Sequence, residues 1–197
     1  MEALENVYAG WRKKPMRYIA DTVDFELEEP TVVTLGKFDG RHRGHQKLLH
    51  TMEKVKESLG YATAIFTFST APLTLVTGET ATVITTSEER RHNMEKMGID
   101  YLVEYPFTDD VRKMDPAVFV KDILVKRMKA KAVVVGPDCS FGYKGAGNVE
   151  LLSTLSRELG FRLYVIEKEK DHRRDISSTY IREELSRGNV AKANELL

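Results

Sequence analysis

One cysteine, Cys139, in a chain of 197 residues makes an intramolecular disulfide impossible and is compatible with a reducing compartment. Neither sign of charge is in excess. The 30 Lys and Arg are balanced by 30 Asp and Glu, so there is no general positive field to hold nucleic acid or an acidic membrane surface. No run of ~18 apolar residues and no charged-then-apolar leader is visible, so neither a membrane span nor secretion is expected, and a cytoplasmic location is. Internal repeats and low-complexity segments are lacking as well. Zinc finds no full ligand set, because no His/Cys cluster joins the His42 and His45 pair. What remains is the composition of an enzyme domain large enough for one well-packed core, with or without appendages.

Short apolar runs alternate with helical patterns along most of the chain, which predicts a parallel α/β sheet. Strands are read at 31–35, 62–68, 101–105, 131–135 and 162–167. Helix 44–59 carries the stripe Leu48, Leu49, Met52, Val55 and Leu59 and ends at Gly60. Thr86-Ser87-Glu88-Glu89 reads as a capping box for helix 87–97. Asp115-Pro116 opens a helix to about Met128, with Val118, Phe119, Ile123 and Val125 inward. Further helices are read at 148–159, from a Ser178 cap to before Gly188, and from an Asn189 cap to Leu197. Residues 1–15 read as an N-terminal extension or part of a first helix. The basic run Lys168 to Arg174 reads as a solvated loop.

The chemistry concentrates at Gly36-Lys37-Phe38-Asp39-Gly40-Arg41-His42-Arg43-Gly44-His45, where a buried strand turns into a helix. Such a turn aims unpaired backbone N–H groups and the positive end of the helix dipole at one point, which suits an anion. His42 and His45, three apart, share a helical face there, and Gly44 lets a nucleotide approach the backbone. A second helix start, Ser177-Ser178-Thr179, offers hydroxyl and N–H donors, and Arg182 one turn later offers a bidentate fork to phosphate oxygens.

This segment, together with Gly136-Pro137-Asp138-Cys139-Ser140-Phe141-Gly142-Tyr143-Lys144-Gly145 and Ile176-Ser177-Ser178-Thr179-Tyr180-Ile181-Arg182, resembles the H-x-G-H nucleotidyltransferases, and within them the FMN adenylyltransferase module of bacterial FAD synthetases. The resemblance runs from about Met16 to the C-terminus. It implies a Rossmann-like α/β nucleotidyltransferase fold with a parallel sheet and helices on both faces, over residues 16–188. Residues 189–197 would begin a linker, with the family's riboflavin kinase domain absent and no kinase activity expected. The implied reaction is attack by the FMN phosphate on the α-phosphorus of ATP, giving FAD and pyrophosphate, with Mg2+ carried on ATP. The implied catalytic residues are His42, His45 and Arg182. Gly36, Phe38, Asp39, Gly40, Gly44, Ser177, Ser178 and Thr179 would bind ATP, and Asp138, Phe141 and Lys144 the flavin. No metal ligand is assigned to the protein. The partners implied are ATP and FMN, without nucleic acid or membrane.

The chain departs from the family at Cys139, where Phe is usual, at Tyr180, often Arg, and at Ser69-Thr70-Ala71-Pro72. These positions leave two other readings open: nucleotidyl transfer to a different phosphate acceptor, or a non-catalytic nucleotide or flavin binder. Whether the two histidines are neutral or charged stays open at this level.

Overall fold

The β-branched and apolar runs pair side by side into one parallel sheet. In the computed structural model, which describes residues 15–69 and 82–197, its strands are β1 (Arg17–Ala20), β2 (Thr31–Leu35), β3 (Ala62–Phe68), β4 (Tyr101–Tyr105), β5 (Ala130–Val135) and β6 (Arg162–Val165). They lie in the order β1-β4-β3-β2-β5-β6, every neighbouring pair parallel. Between them run α1 (Arg43–Leu59), α2 (Ser87–Lys96), the short α3 (Asp109–Arg112) and α5 (Val149–Leu159). Helix α4 starts at Pro116–Val118 and continues as a π-helix over Phe119–Arg127. After β6 come a two-stranded antiparallel hairpin, β7 (Lys170–Asp171) and β8 (Arg174–Asp175), then α6 (Ser178–Ser186) and α7 (Val190–Leu196).

Alternation along each strand divides the core in two. Val33, Phe66, Val103, Val133 and Val135 face one side, where they pack with Phe119, Ile123 and Leu124 of α4 and Leu152 of α5. Val32, Ile65, Leu102, Ala132 and Val134 face the other, against Leu49, Met52 and Val55 of α1 and Met94 of α2. The chain therefore winds outward from β2 through α1 and α2 on one face, returns beside β2 as β5, and continues through α5 on the opposite face. Leaving aside the added edge strand β1, this is the doubly wound order whose direction reverses between β2 and β5. A register shift where β2 meets β5 leaves Lys131 exposed while Ala130 and Ala132 are buried.

Several local readings need correction. β1 was not anticipated: Arg17-Tyr18-Ile19-Ala20 is an edge strand with no buried residue, so it lacks an apolar signature. It is tied in through Tyr18, whose hydroxyl donates to Glu104 at 2.7 Å. Glu104 sits in β4 only 2% exposed, and also receives Arg90 at 3.2 Å and Arg91 at 3.1 Å. Burial raises its pKa, yet hydrogen bonds from Arg91, Tyr18 and Arg90 hold it below the usual carboxylate range.

The helix after Asp115 has the predicted cap, with Oδ1 accepting from Ala117 and Val118 N–H groups. Its later turns are wider than predicted, as the Met128 N–H donation to the Ile123 carbonyl shows, and the buried set becomes Phe119, Val120, Ile123 and Leu124 while Val118 is exposed. Ser177, not Ser178, caps α6. Asn189 gives α7 no side-chain cap; its Nδ2 donates to Glu184 at 2.8 Å. The strand read at 162–167 stops at Val165, and the basic run from Lys168 enters the β7–β8 hairpin rather than a simple solvated loop. The predicted capping box is present, with Thr86 and Glu89 bonded reciprocally.

Candidate active site

The geometry of the histidine turn starts from the way the chain leaves β2. Gly36 keeps its backbone bare because the Phe38 ring lies over it; a Cβ there would stand 3.0 Å from that ring. Phe38 adopts φ +51°, a left-handed conformation costly for an aromatic residue, and is held by packing against His45 at 4.8 Å between centroids. His42 then caps α1: its Nδ1 accepts the backbone N–H of His45 at 3.3 Å. The imidazoles of His42 and His45 stack with centroids 3.6 Å apart. Gly44 fits beside them because a Cβ would approach His42 Nδ1 to 3.2 Å.

Both imidazoles are neutral near pH 7. Burial, reinforced by neighbouring His45, pushes His42 down to about 3 despite the opposing pull of Asp39. Burial also lowers His45. Their hydrogens can be placed by partner chemistry. His45 Nδ1 faces the Gly40 carbonyl at 2.8 Å, and a carbonyl only accepts, so this nitrogen carries the hydrogen. His42 Nδ1 accepts a backbone N–H, so the hydrogen of neutral His42 is on Nε2. The two rings are thus opposite tautomers.

Asp39 joins this loop to the rest of the site. Its side chain is 1% exposed, with Oδ1 accepting from the Ile84 and Thr85 N–H groups at 2.8 and 3.1 Å. Its Oδ2 receives Arg182 at 2.7 Å, and its backbone carbonyl receives the Ser178 hydroxyl at 2.6 Å. Arg182 also donates to Thr179 Oγ1 at 3.3 Å. Helix α6 is therefore fastened to the loop before α1 by one aspartate, through its carbonyl and its carboxylate.

All these groups surround a cleft of about 410 Å3 beyond the carboxyl ends of β2 and β5, where the winding reverses. His42, His45, Arg182, Gly36, Phe38, Asp39, Gly44, Ser177, Ser178 and Thr179 line it. Gly40 lies just behind and donates its N–H to Thr85 Oγ1 at 3.1 Å. Of the three residues that the resemblance implies for the flavin, Asp138 lines the cleft, together with Cys139. Phe141 does not: it belongs to the core, 5.6 Å from Phe119 between centroids and packed over Gly147. Lys144 is exposed beside the Tyr143 ring, away from the cleft lining. Burial pushes the Cys139 thiol up to about 11, so it is not a thiolate nucleophile. Of the altered loop at 69–72, residues 70–72 lie outside the described residues.

Sequence reasoning missed the wall supplied by Ile166, Glu167, Lys168 and Glu169. Lys168 reaches Asp138 at 2.9 Å and Asp175 at 3.3 Å, and Glu169 binds Lys47 at 2.8 Å. The only signal was a basic run whose partners are distant in sequence. Among the described residues, no group of three or more His, Cys, Asp or Glu side chains is placed to hold a metal ion, and no helix is long and apolar enough to cross a membrane.

A family model for FAD synthetase matches residues 24–180. A bifunctional riboflavin kinase/FMN adenylyltransferase of Buchnera aphidicola subsp. Acyrthosiphon pisum is 31% identical over 173 residues, which are 87% of this chain and 55% of that protein. The protein of the same description from Listeria monocytogenes serovar 1/2a is 32% identical over 178 residues, 89% of this chain and 56% of its own. The chain spans about half the length of these curated relatives. A crystal structure described as a macrolide-efflux protein from Streptococcus pneumoniae is similar with a TM-score of 0.77 and 25% identity, over 93% of this chain and 60% of that one.

Proposed function

Because the chain belongs to the FAD synthetase family, we propose that it transfers the adenylyl group of MgATP to FMN, releasing FAD and pyrophosphate. The observation that carries this reading is the joining of the His42–His45 turn to the Ser178–Arg182 helix start through Asp39, across one cleft. Two helix N-termini, a guanidinium and an imidazole N–H then converge where a triphosphate would lie.

An FMN phosphate oxygen attacks the α-phosphorus, and the bond to the pyrophosphate oxygen breaks. No protein nucleophile is needed, since positioning and charge stabilisation suffice for such transfers. His42 donates from Nε2 while neutral. His45, its Nδ1 hydrogen committed to Gly40, becomes a second donor to phosphate only on taking up a proton, which the arriving negative charge favours. Arg182, oriented by Asp39 and Thr179, offsets charge on the phosphates. Magnesium enters as part of the nucleotide substrate. Asp138 is the residue we assign to the acceptor side.

The test is incubation with MgATP and FMN, with riboflavin and pantetheine phosphate in parallel, followed by flavin separation and pyrophosphate assay. FAD and pyrophosphate from FMN, and none from riboflavin, are expected. His45→Ala should lower turnover about 100-fold or more while leaving the thermal transition cooperative. Pyrophosphate release with another acceptor alone would replace this reading by its neighbour, transfer to a different phosphate. That second reading is favoured by Cys139 at the cleft and by Phe141 lying in the core.

A further inference from the structure

Three separate segments meet at one ammonium on the rim of the cleft. Lys168, just beyond β6, holds Asp138 of the loop after β5 at 2.9 Å and Asp175 of β8 at 3.3 Å. Asp138 folds back over the loop it belongs to, its Oδ1 so near Gly136 that a Cβ there would be 3.2 Å away. Asp175 directly precedes Ile176 and the Ser177 cap of α6. Glu169, the neighbouring carboxylate on this wall, has its own cations in Lys47 at 2.8 Å and Arg43 at 3.8 Å. Lys168, which lines the cleft with Asp138, therefore stands between two carboxylates that pair with no other cation among the described residues, and all three groups are partly exposed.

We propose that Lys168 is a positioning residue for an anionic acceptor: it offsets Asp138 on the cleft wall and the adjoining Asp175, and ties the loop after β5 to the segment that leads into α6. The inference rests on the reading above that the cleft takes a phosphate-bearing acceptor. Without the ammonium, two like charges repel each other and the incoming phosphate, and the loop carrying Asp138 loses its tether. An acceptor lacking phosphate feels the second effect and not the first.

The experiment compares FMN with riboflavin as ligands of the wild type, Lys168→Met, Lys168→Arg and the double variant Lys168→Met/Asp175→Asn, by quenching of flavin fluorescence, alongside steady-state turnover. Lys168→Met is expected to weaken FMN binding and raise its KM about tenfold, with riboflavin binding and kcat within about twofold. Lys168→Arg and the double variant should each recover most of the loss. Equal weakening of both flavins, or no recovery in the double variant, would overturn the proposal. Wild-type FAD formation is scored separately. If the wild type forms no FAD yet binds FMN, the same binding ratios still decide the role of Lys168, whereas a wild type that fails to bind FMN overturns both.

Discussion

Acid should unfold this protein through His42, by an amount the structure sets. The imidazole is 6% exposed and its pKa is pushed down to about 3 by burial and by His45. In the unfolded chain it returns to about 6.5. Below that pH the unfolded state binds a proton that the folded state refuses, so stability is complete above 6.5 and falls as the pH drops toward 3. At pH 5 the unfolded imidazole gains up to about 2 kcal/mol from this proton, a figure that does not depend on the folded value so long as it lies well below 5. His42→Asn is the suitable comparison, because asparagine also caps helix N-termini and does not titrate. Urea unfolding of both proteins at pH 7.5 and pH 5.0 should show the wild type losing about 2 kcal/mol more than the variant across that interval. His45 remains in both, so its own titration is common to the two proteins. A difference below about 0.5 kcal/mol would refute the reasoning and mean that His42 titrates as a solvated imidazole.

Three further outcomes are expected. Asp39→Asn keeps the shape of the side chain but leaves Arg182, 30% exposed, without its ion pair; about 2 kcal/mol should be lost in urea unfolding, with kcat/KM for ATP falling alongside. Glu104→Gln strands the buried guanidinium of Arg90 on α2, and should cost about 3–5 kcal/mol in the same assay. Gly147→Ala would place a Cβ 2.4 Å from the Phe141 ring, so about 1–3 kcal/mol of stability should go, while nucleotide affinity, measured by calorimetric titration with MgATP, stays within about twofold.

How far the sequence carries depends on whether a feature is local. Thr31 to Leu35 and Ala62 to Phe68 could be read as buried parallel strands because nearly every residue in them faces a covered surface. The turn holding His42 and His45 could be read because its strand, glycines and helix stripe are contiguous. Arg182 could be placed near the phosphate site by resemblance, but its bond to Asp39 could not be foreseen, since 143 residues separate the two. Glu104 looks like a polar interruption of a strand until Tyr18, Arg90 and Arg91 arrive from two other elements. Phe141 carries an aromatic label that suits either a flavin wall or a core, and only its packing on Phe119 and Gly147 decides for the core. The wide turns of α4 leave no mark in Phe119 to Arg127 that an α-helix would not share.

The carboxylate of Asp39 also puts the parts of the site into a temporal order. A ribosome delivers Asp39 and the histidine turn first, whereas Ser178 and Arg182 follow 139 and 143 residues after Asp39. Until α6 emerges and docks, Asp39 lacks its cation and its carbonyl lacks the Ser178 hydroxyl. Contacts of such long sequence separation form late in folding. The cleft proposed to take the nucleotide is therefore incomplete in a nascent chain until Arg182 has been made.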